Sequence, residues 1–183
     1  MRLLARLGNA RIQLQIDIGF GDAITPGAVL VDYPALLDFP APSIRSYPRE
    51  TVVAEKFQAM VMLGIANSRM KDFYDLWTLA LHFEFDGPTL CKAIHATFQR
   101  RQTALPELTP LALTSEFSQD AVKQTQWRAF LRKGKLERDN LSLAEVTAVI
   151  ANFVMPSLAA IVANESFQRR WPPGGPWLSA DLS

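Results

Sequence analysis

The chain has 183 residues, 49% hydrophobic and 20% charged, with a formal net charge of +1. These figures suit one globular domain or two small lobes with a sizeable core. They exclude the overall field that draws a strongly basic protein to nucleic acid or membrane, so any phosphate-binding surface has to be local. A single cysteine, Cys91, cannot form an internal disulfide, and its apolar surroundings in "TLCKAIHATF" suit a buried, inert thiol. The opening residues are interrupted by arginines and lack a signal-peptide core. The longest apolar run, "AVIANFVMPSLAAIVA", holds Asn152 and Pro156 and reads as too short to cross a bilayer comfortably. A cytoplasmic protein with no membrane contact is expected.

In chain order, "MRLLARL" reads as the end of a helix stopped by Gly8-Asn9. "RIQLQIDIGFGD" then alternates Ile12, Leu14, Ile16 and Ile18 with Gln13, Gln15 and Asp17. Period two predicts a strand with its aliphatic side chains facing a core and Asp17 on the polar face. "AVLVDYP" and "SIRSY" are the next two predicted strands, with proline-rich sequence between them. From Pro48 the period becomes helical. "PRETVVAEKFQAMVMLG" places Val52, Val53, Phe57, Met60 and Val61 on one face and ends at Gly64. "SRMKDFYDLWTLALHF" is a second helix with Asn67 or Ser68 as its N-cap. A third runs through "GPTLCKAIHATFQRR", a fourth lies within "LTSEFSQDAVKQTQWRAFLRK", and a fifth starts at Ser142 with a kink or break at Pro156. The tail "WPPGGPWLSADLS" reads as irregular. No internal repeat is present. The organisation is α+β: a sheet lobe over 1–47, a helical lobe over 48–168 and an irregular tail over 169–183.

The charges concentrate in "NSRMKDFYDL". Lys71, Asp72 and Asp75 share one face of the second helix, away from Phe73, Leu76 and Trp77. Such a cluster fits either a solvated helix face or a preorganised site. Lysine before aspartate is the poorer order for a helix pair, and Arg69 adds a second cation beside the same acids. On the preceding helix, Lys56 borders the apolar face, where it can snorkel over core or deliver an ammonium to phosphate. Asp17 is either a lone strand acid or one member of a Mg²⁺-binding carboxylate set. His82 and His95 have no cysteine pair, so no zinc site is expected, and no Walker-A or dinucleotide glycine pattern occurs. A basic run, Arg128, Arg132, Lys133, Lys135 and Arg138 beside Trp127, fits a solvated helix end better than an RNA-contacting patch.

The run from Tyr47 to Leu79 resembles the C-terminal motifs of the AbiEii/AbiGii nucleotidyltransferase toxins. The matching residues are Tyr47, Pro48, Glu50, Ala54, Glu55, Lys56 and Ala59, then Arg69, Lys71, Asp72 and Asp75, with Phe57 in place of the usual leucine. The resemblance covers residues 10–80 well and the helical remainder loosely, with Trp127 as a family tryptophan. It implies a remnant of a polymerase-β-like nucleotidyltransferase sheet followed by a helical lobe. It also implies transfer of a nucleotide from an NTP to an acceptor, tRNA among the candidates, and pairing with a cognate antitoxin. By the resemblance Asp17, Lys56 and Asp75 are catalytic, Asp17 is a metal ligand, and Lys56, Arg69, Lys71 and Asp72 bind the nucleotide. The family's Gly-Ser or Gly-Thr turn and its Asp-x-Asp pair occur nowhere in this sequence. The chain is therefore expected to lack the N-terminal catalytic half, to be inactive alone, and to bind Mg²⁺ only when completed. An exposed apolar sheet edge is then expected near residues 10–20. The alternative is a non-catalytic protein-interaction module.

Overall fold

The computed structural model describes residues 1–18, 21, 23–136 and 141–179. Arg138 and residues 180–183 of the tail lie outside the described residues, as do three positions in 19–22 at the end of the first predicted strand. The architecture is α+β: small antiparallel sheets beside a body of six helices among the described residues.

"MRLLARL" is a strand rather than the end of a helix, β1 (Arg2–Leu7), paired antiparallel with β2 (Ala10–Gln15). Gly8-Asn9 is the hairpin turn. Gly8 takes φ +58 at the first turn position, where hairpins favour a residue without a Cβ. The register places Leu3, Ala5 and Leu7 opposite Leu14, Ile12 and Ala10, so one face of the ribbon is wholly apolar. Leu3↔Leu14 and its neighbours make a pairing of period two that overrides the helix propensity of leucine and arginine. This face does not reach a core. Ile12, Leu14, Ile16 and Ile18 are 42–64% exposed, which corrects the inward orientation expected of them and leaves apolar strand surface uncovered near residues 10–20. β2 ends at Gln15, so Asp17 stands just beyond the strand rather than within it. β3 (Val29–Asp32) and β4 (Ser43–Ser46) form a second hairpin, as their alternation indicated. Thr51 joins this region to the helices, exchanging hydrogen bonds with the backbone of Thr25 at 3.0 Å in both directions.

Helix α1 (Arg49–Leu63) starts behind Pro48 and ends at Gly64, where φ +48 suits glycine. A 3-10 turn (Gly64–Ala66) leads to α2 (Met70–His82). Its N-cap is Arg69, not Asn67 or Ser68. Asn67 serves one step earlier, its Oδ1 accepting the Arg69 N–H at 2.9 Å. β5 (Phe85–Asp86) and α3 (Gly87–Arg100) follow, α3 capped by Asp86 with Pro88 in its first turn. The fourth predicted helix is two, α4 (Ser115–Gln119) and α5 (Ala121–Gly134), because Asp120 breaks the run to cap Lys123 N–H. Helix α6 (Leu143–Ala163) runs through Pro156 without interruption.

With 21 residues, α6 is long and apolar enough to cross a bilayer by length and composition, contrary to the sequence reading. Here it is the central core helix. Val146, Ile150, Phe153 and Val154 are fully buried, packed among α2, α3 and α4. Its start is fixed by a capping box: Ser142 Oγ accepts the Glu145 N–H, and Glu145 Oε2 accepts the Ser142 N–H at 2.9 Å. Ser142→Ala should lower stability by about 1 kcal/mol. A urea midpoint shift at constant slope measures it.

The tail is not irregular throughout. β6 (Arg169–Trp171) and β7 (Leu178–Ser179) add to β5 in a three-stranded sheet. Burial of Trp171 against Phe153 and Trp177 supplies the force that the proline-rich sequence concealed.

Candidate functional site

The two acids of α2 face α1. Lys56, in the middle of α1, lies with its ammonium between two carboxylates, 2.6 Å from Asp72 Oδ1 and 2.8 Å from Asp75 Oδ2. Asp75 Oδ2 also accepts from Lys71 Nζ at 2.6 Å, so one carboxylate oxygen bridges two ammonium groups. The three inner side chains are only 16–23% exposed, whereas Lys71 is 71% exposed. This follows from helix geometry. Asp72 and Asp75 are three residues apart on one face of α2, and Met70, Phe73, Leu76 and Ala80 on the other face enter the core. The core contacts fix the rotation of α2, and that rotation turns both acids to Lys56.

Burial alone pushes the Asp75 carboxyl up, but hydrogen bonds and charge from Lys56 and Lys71 outweigh it and hold Asp75 below its usual 3.8. Burial likewise lowers Lys56, yet the hydrogen bonds and charges of Asp72 and Asp75 prevail and raise it above 10.5. Each shift favours the folded state while the group is charged. For Asp75 the stabilisation is present above its unfolded pKa and disappears as pH falls through the lower folded value. For Lys56 it is present below its unfolded pKa and disappears as pH rises through the higher folded value. Asp75→Asn should therefore cost stability at neutral pH and flatten the acid limb of the stability profile below about pH 4. Urea unfolding of both proteins between neutral pH and about pH 2 tests this.

Of the residues expected to form a site, the structure brings together Lys56, Lys71, Asp72 and Asp75. Arg69 stands exposed at the start of the same helix, outside the ion-pair cluster. Asp17 is not part of it. Its carboxylate accepts from Gln15 Nε2 at 3.0 and 3.1 Å on the exposed side of the hairpin. Among the described residues no group of three acids, histidines or cysteines has the arrangement to hold a metal ion. Asp72 and Asp75 are already closed on an ammonium, and Asp17 stands without a second carboxylate among the described residues. The donor set does not fit Mg²⁺, which takes several oxygen ligands.

Sequence reasoning missed Lys123. It is 6% exposed and donates from Nζ to the Asn67 carbonyl at 2.9 Å, tying α5 to the turn that launches α2. The signal was present: Lys123, Trp127 and Leu131 stand at i, i+4 and i+8, so the lysine lies on the buried stripe of its helix. Trp127 is itself core, 2% exposed, with Nε1 donating to the Leu141 carbonyl at 2.7 Å.

A family model described as the nucleotidyl transferase AbiEii toxin, of a type IV toxin–antitoxin system, matches residues 1–164. The match takes in both hairpins and every described helix of the body, not only the motifs on α1 and α2. No curated protein and no solved structure matches the chain.

Proposed function

The chain belongs to the AbiEii nucleotidyl transferase toxin family, and from that premise we propose that the α1–α2 face is its nucleoside-triphosphate site. The observation carrying this reading is the position of Lys56, an ammonium oriented by Asp72 and Asp75 beside the exposed cation Lys71, with Arg69 at the start of the same helix. Lys56, Arg69 and Lys71 offer charge-assisted hydrogen bonds to phosphate oxygens. Asp72 and Asp75 hold Lys56 charged and in place. Transfer runs from an NTP to an acceptor, for which tRNA is the leading candidate, and a cognate antitoxin is the partner that a toxin–antitoxin family implies. A protein acting on NTP and tRNA works in the cytoplasm. By itself the chain transfers nothing, because it contains neither a Gly-Ser or Gly-Thr turn nor an Asp-x-Asp pair. Asp17 as a metal ligand, and Mg²⁺ with it, would require further carboxylates beside it.

The test has two arms. Incubated with a labelled NTP and tRNA, the purified chain should leave the RNA unlabelled, and labelled RNA would contradict the proposed inactivity. In equilibrium dialysis the chain should retain the NTP, and Lys71→Met should weaken retention about tenfold. Equal retention by both proteins would remove the site from α2.

A second reading, as a protein-interaction module, has its own observation in the exposed apolar face of β1–β2. Leu3, Leu7, Ile12 and Leu14 are 44–76% exposed on one side of a two-stranded ribbon. Capture of the antitoxin that is lost in Ile12→Lys and kept in Lys71→Met would favour it.

A further inference from the structure

Helix α5 and its cap carry Lys123, Arg128, Arg132, Lys133 and Lys135, with no acid from residue 121 to 135. Lys123 is buried and the other four are exposed. A helix end gains from cations in its last turn, which accounts for Arg132, Lys133 and Lys135. It does not account for the cavity of about 600 Å³ that opens between α5 and the first turn of α6. Arg128 and Arg132, one turn apart and so about 6 Å along the axis, line one side of it. Leu131, Leu143 and Ala144 add apolar lining and Gln124 a polar side chain.

Among the described residues the two guanidinium groups have no carboxylate partner. Arg128 donates a 3.4 Å hydrogen bond to Thr125 Oγ1, and neither arginine is ion-paired there. Among the described residues, two acids at the neighbouring helix starts are engaged in capping. Glu145 turns its carboxylate onto Ser142 in the capping box, and Asp120 caps the opposite end of α5. A cavity of this size, lined by apolar side chains and two cations, has the composition of a small-molecule or nucleotide pocket. Paired arginines suit phosphate geometry, and an apolar lining suits the face of a base.

We propose that this cavity seats a nucleotide unit of a polynucleotide acceptor, its phosphodiester oxygens on Arg128 and Arg132 and its base against Leu131, Leu143 and Ala144. The assignment rests on the nucleotidyl transferase reading and gives that reading a place for the acceptor. Lys123 links this helix to the turn that launches α2 and its ion-pair cluster.

Fluorescence anisotropy with end-labelled RNA and DNA oligonucleotides of one sequence tests it, with circular dichroism to confirm that each variant is folded. The intact chain should bind at low salt. Arg128→Gln with Arg132→Gln should weaken binding at least about tenfold and reduce the slope of log affinity against log salt by about 0.7, one phosphodiester on a single strand. Ala144→Trp fills the cavity and leaves every charge in place. It should weaken binding by a similar factor with the slope unchanged. Dependence of either strand on these residues supports the proposal, and a difference between the RNA and DNA arms reports contact with the 2′-hydroxyl. No binding by the intact chain overturns it, as does indifference to the double arginine variant. Loss with the arginines but not with Ala144→Trp also overturns it, since a diffuse basic face would then suffice. Lys71→Met separates the two sites: it should reduce NTP retention and leave oligonucleotide binding intact, so either site can fail alone.

Discussion

Lys56→Met should destabilise the protein by about 2 kcal/mol at neutral pH. Exposed ion pairs contribute about 0–1 kcal/mol, and breaking a fully buried one costs about 3–5 kcal/mol. The Lys56 cluster falls between these limits, with inner side chains 16–23% exposed. The cost comes mainly from what remains. Without the ammonium, Asp72 and Asp75 are left in a partly dry gap, with the exposed Lys71 alone among the described residues to offset them. Two controls identify that cause. Combining Asp72→Asn and Asp75→Asn with Lys56→Met should recover part of the loss, because no uncompensated charge is left. Lowering the pH through the depressed Asp75 value should shrink the difference between Lys56→Met and the parent protein, since Asp75 then loses its charge in the parent as well. A thermal or urea comparison of these variants is sufficient.

Trp171→Ala should cost more, about 4 kcal/mol. The ring is 3% exposed, 5.0 Å from the Phe153 ring and 5.5 Å from that of Trp177, and its Nε1 donates to the Ala80 carbonyl at 2.7 Å. It also lies against Gly175, where a Cβ would come within 2.5 Å of ring carbon. Removing it opens a large cavity and releases the tail from the end of α2. Trp171→Phe keeps most of the packing and forfeits the hydrogen bond, so its stability should fall between those of the parent and Trp171→Ala. Because Ala80 lies on α2, the loss should also raise hydrogen exchange in the last turn of the helix that carries Asp72 and Asp75.

Sequence legibility follows local period. The hairpin strands β3 and β4 and the helices α1, α2, α3 and α6 declare themselves through alternation or 3.6-residue spacing, and the charged face of α2 is visible from Lys71, Asp72 and Asp75 alone. The resemblance marks Lys56 as a site lysine, but its closing on both aspartates is not legible, since nothing local says which way α1 turns. The misreadings have one origin. Arg2–Leu7 has good helix formers, but its fate is decided by Leu14 and Ile12 on the partner strand. Trp171 sits in a proline- and glycine-rich tail, but its fate is decided by Phe153 and Ala80. Lys123 escapes notice because a lysine is presumed exposed, although its spacing to Trp127 and Leu131 places it on the buried side. Asp17 reads as part of a strand that stops two residues before it.

The nucleotide role of the α1–α2 face is tested most directly by titrating ATP into the ¹⁵N-labelled chain and following backbone amide shifts. Saturable changes clustered from Arg69 to Asp75 and around Lys56 are expected, abolished in Lys71→Met and Arg69→Met together. Saturable changes confined to other helices, or none at ATP concentrations in the millimolar range typical of weak binding, would contradict that role.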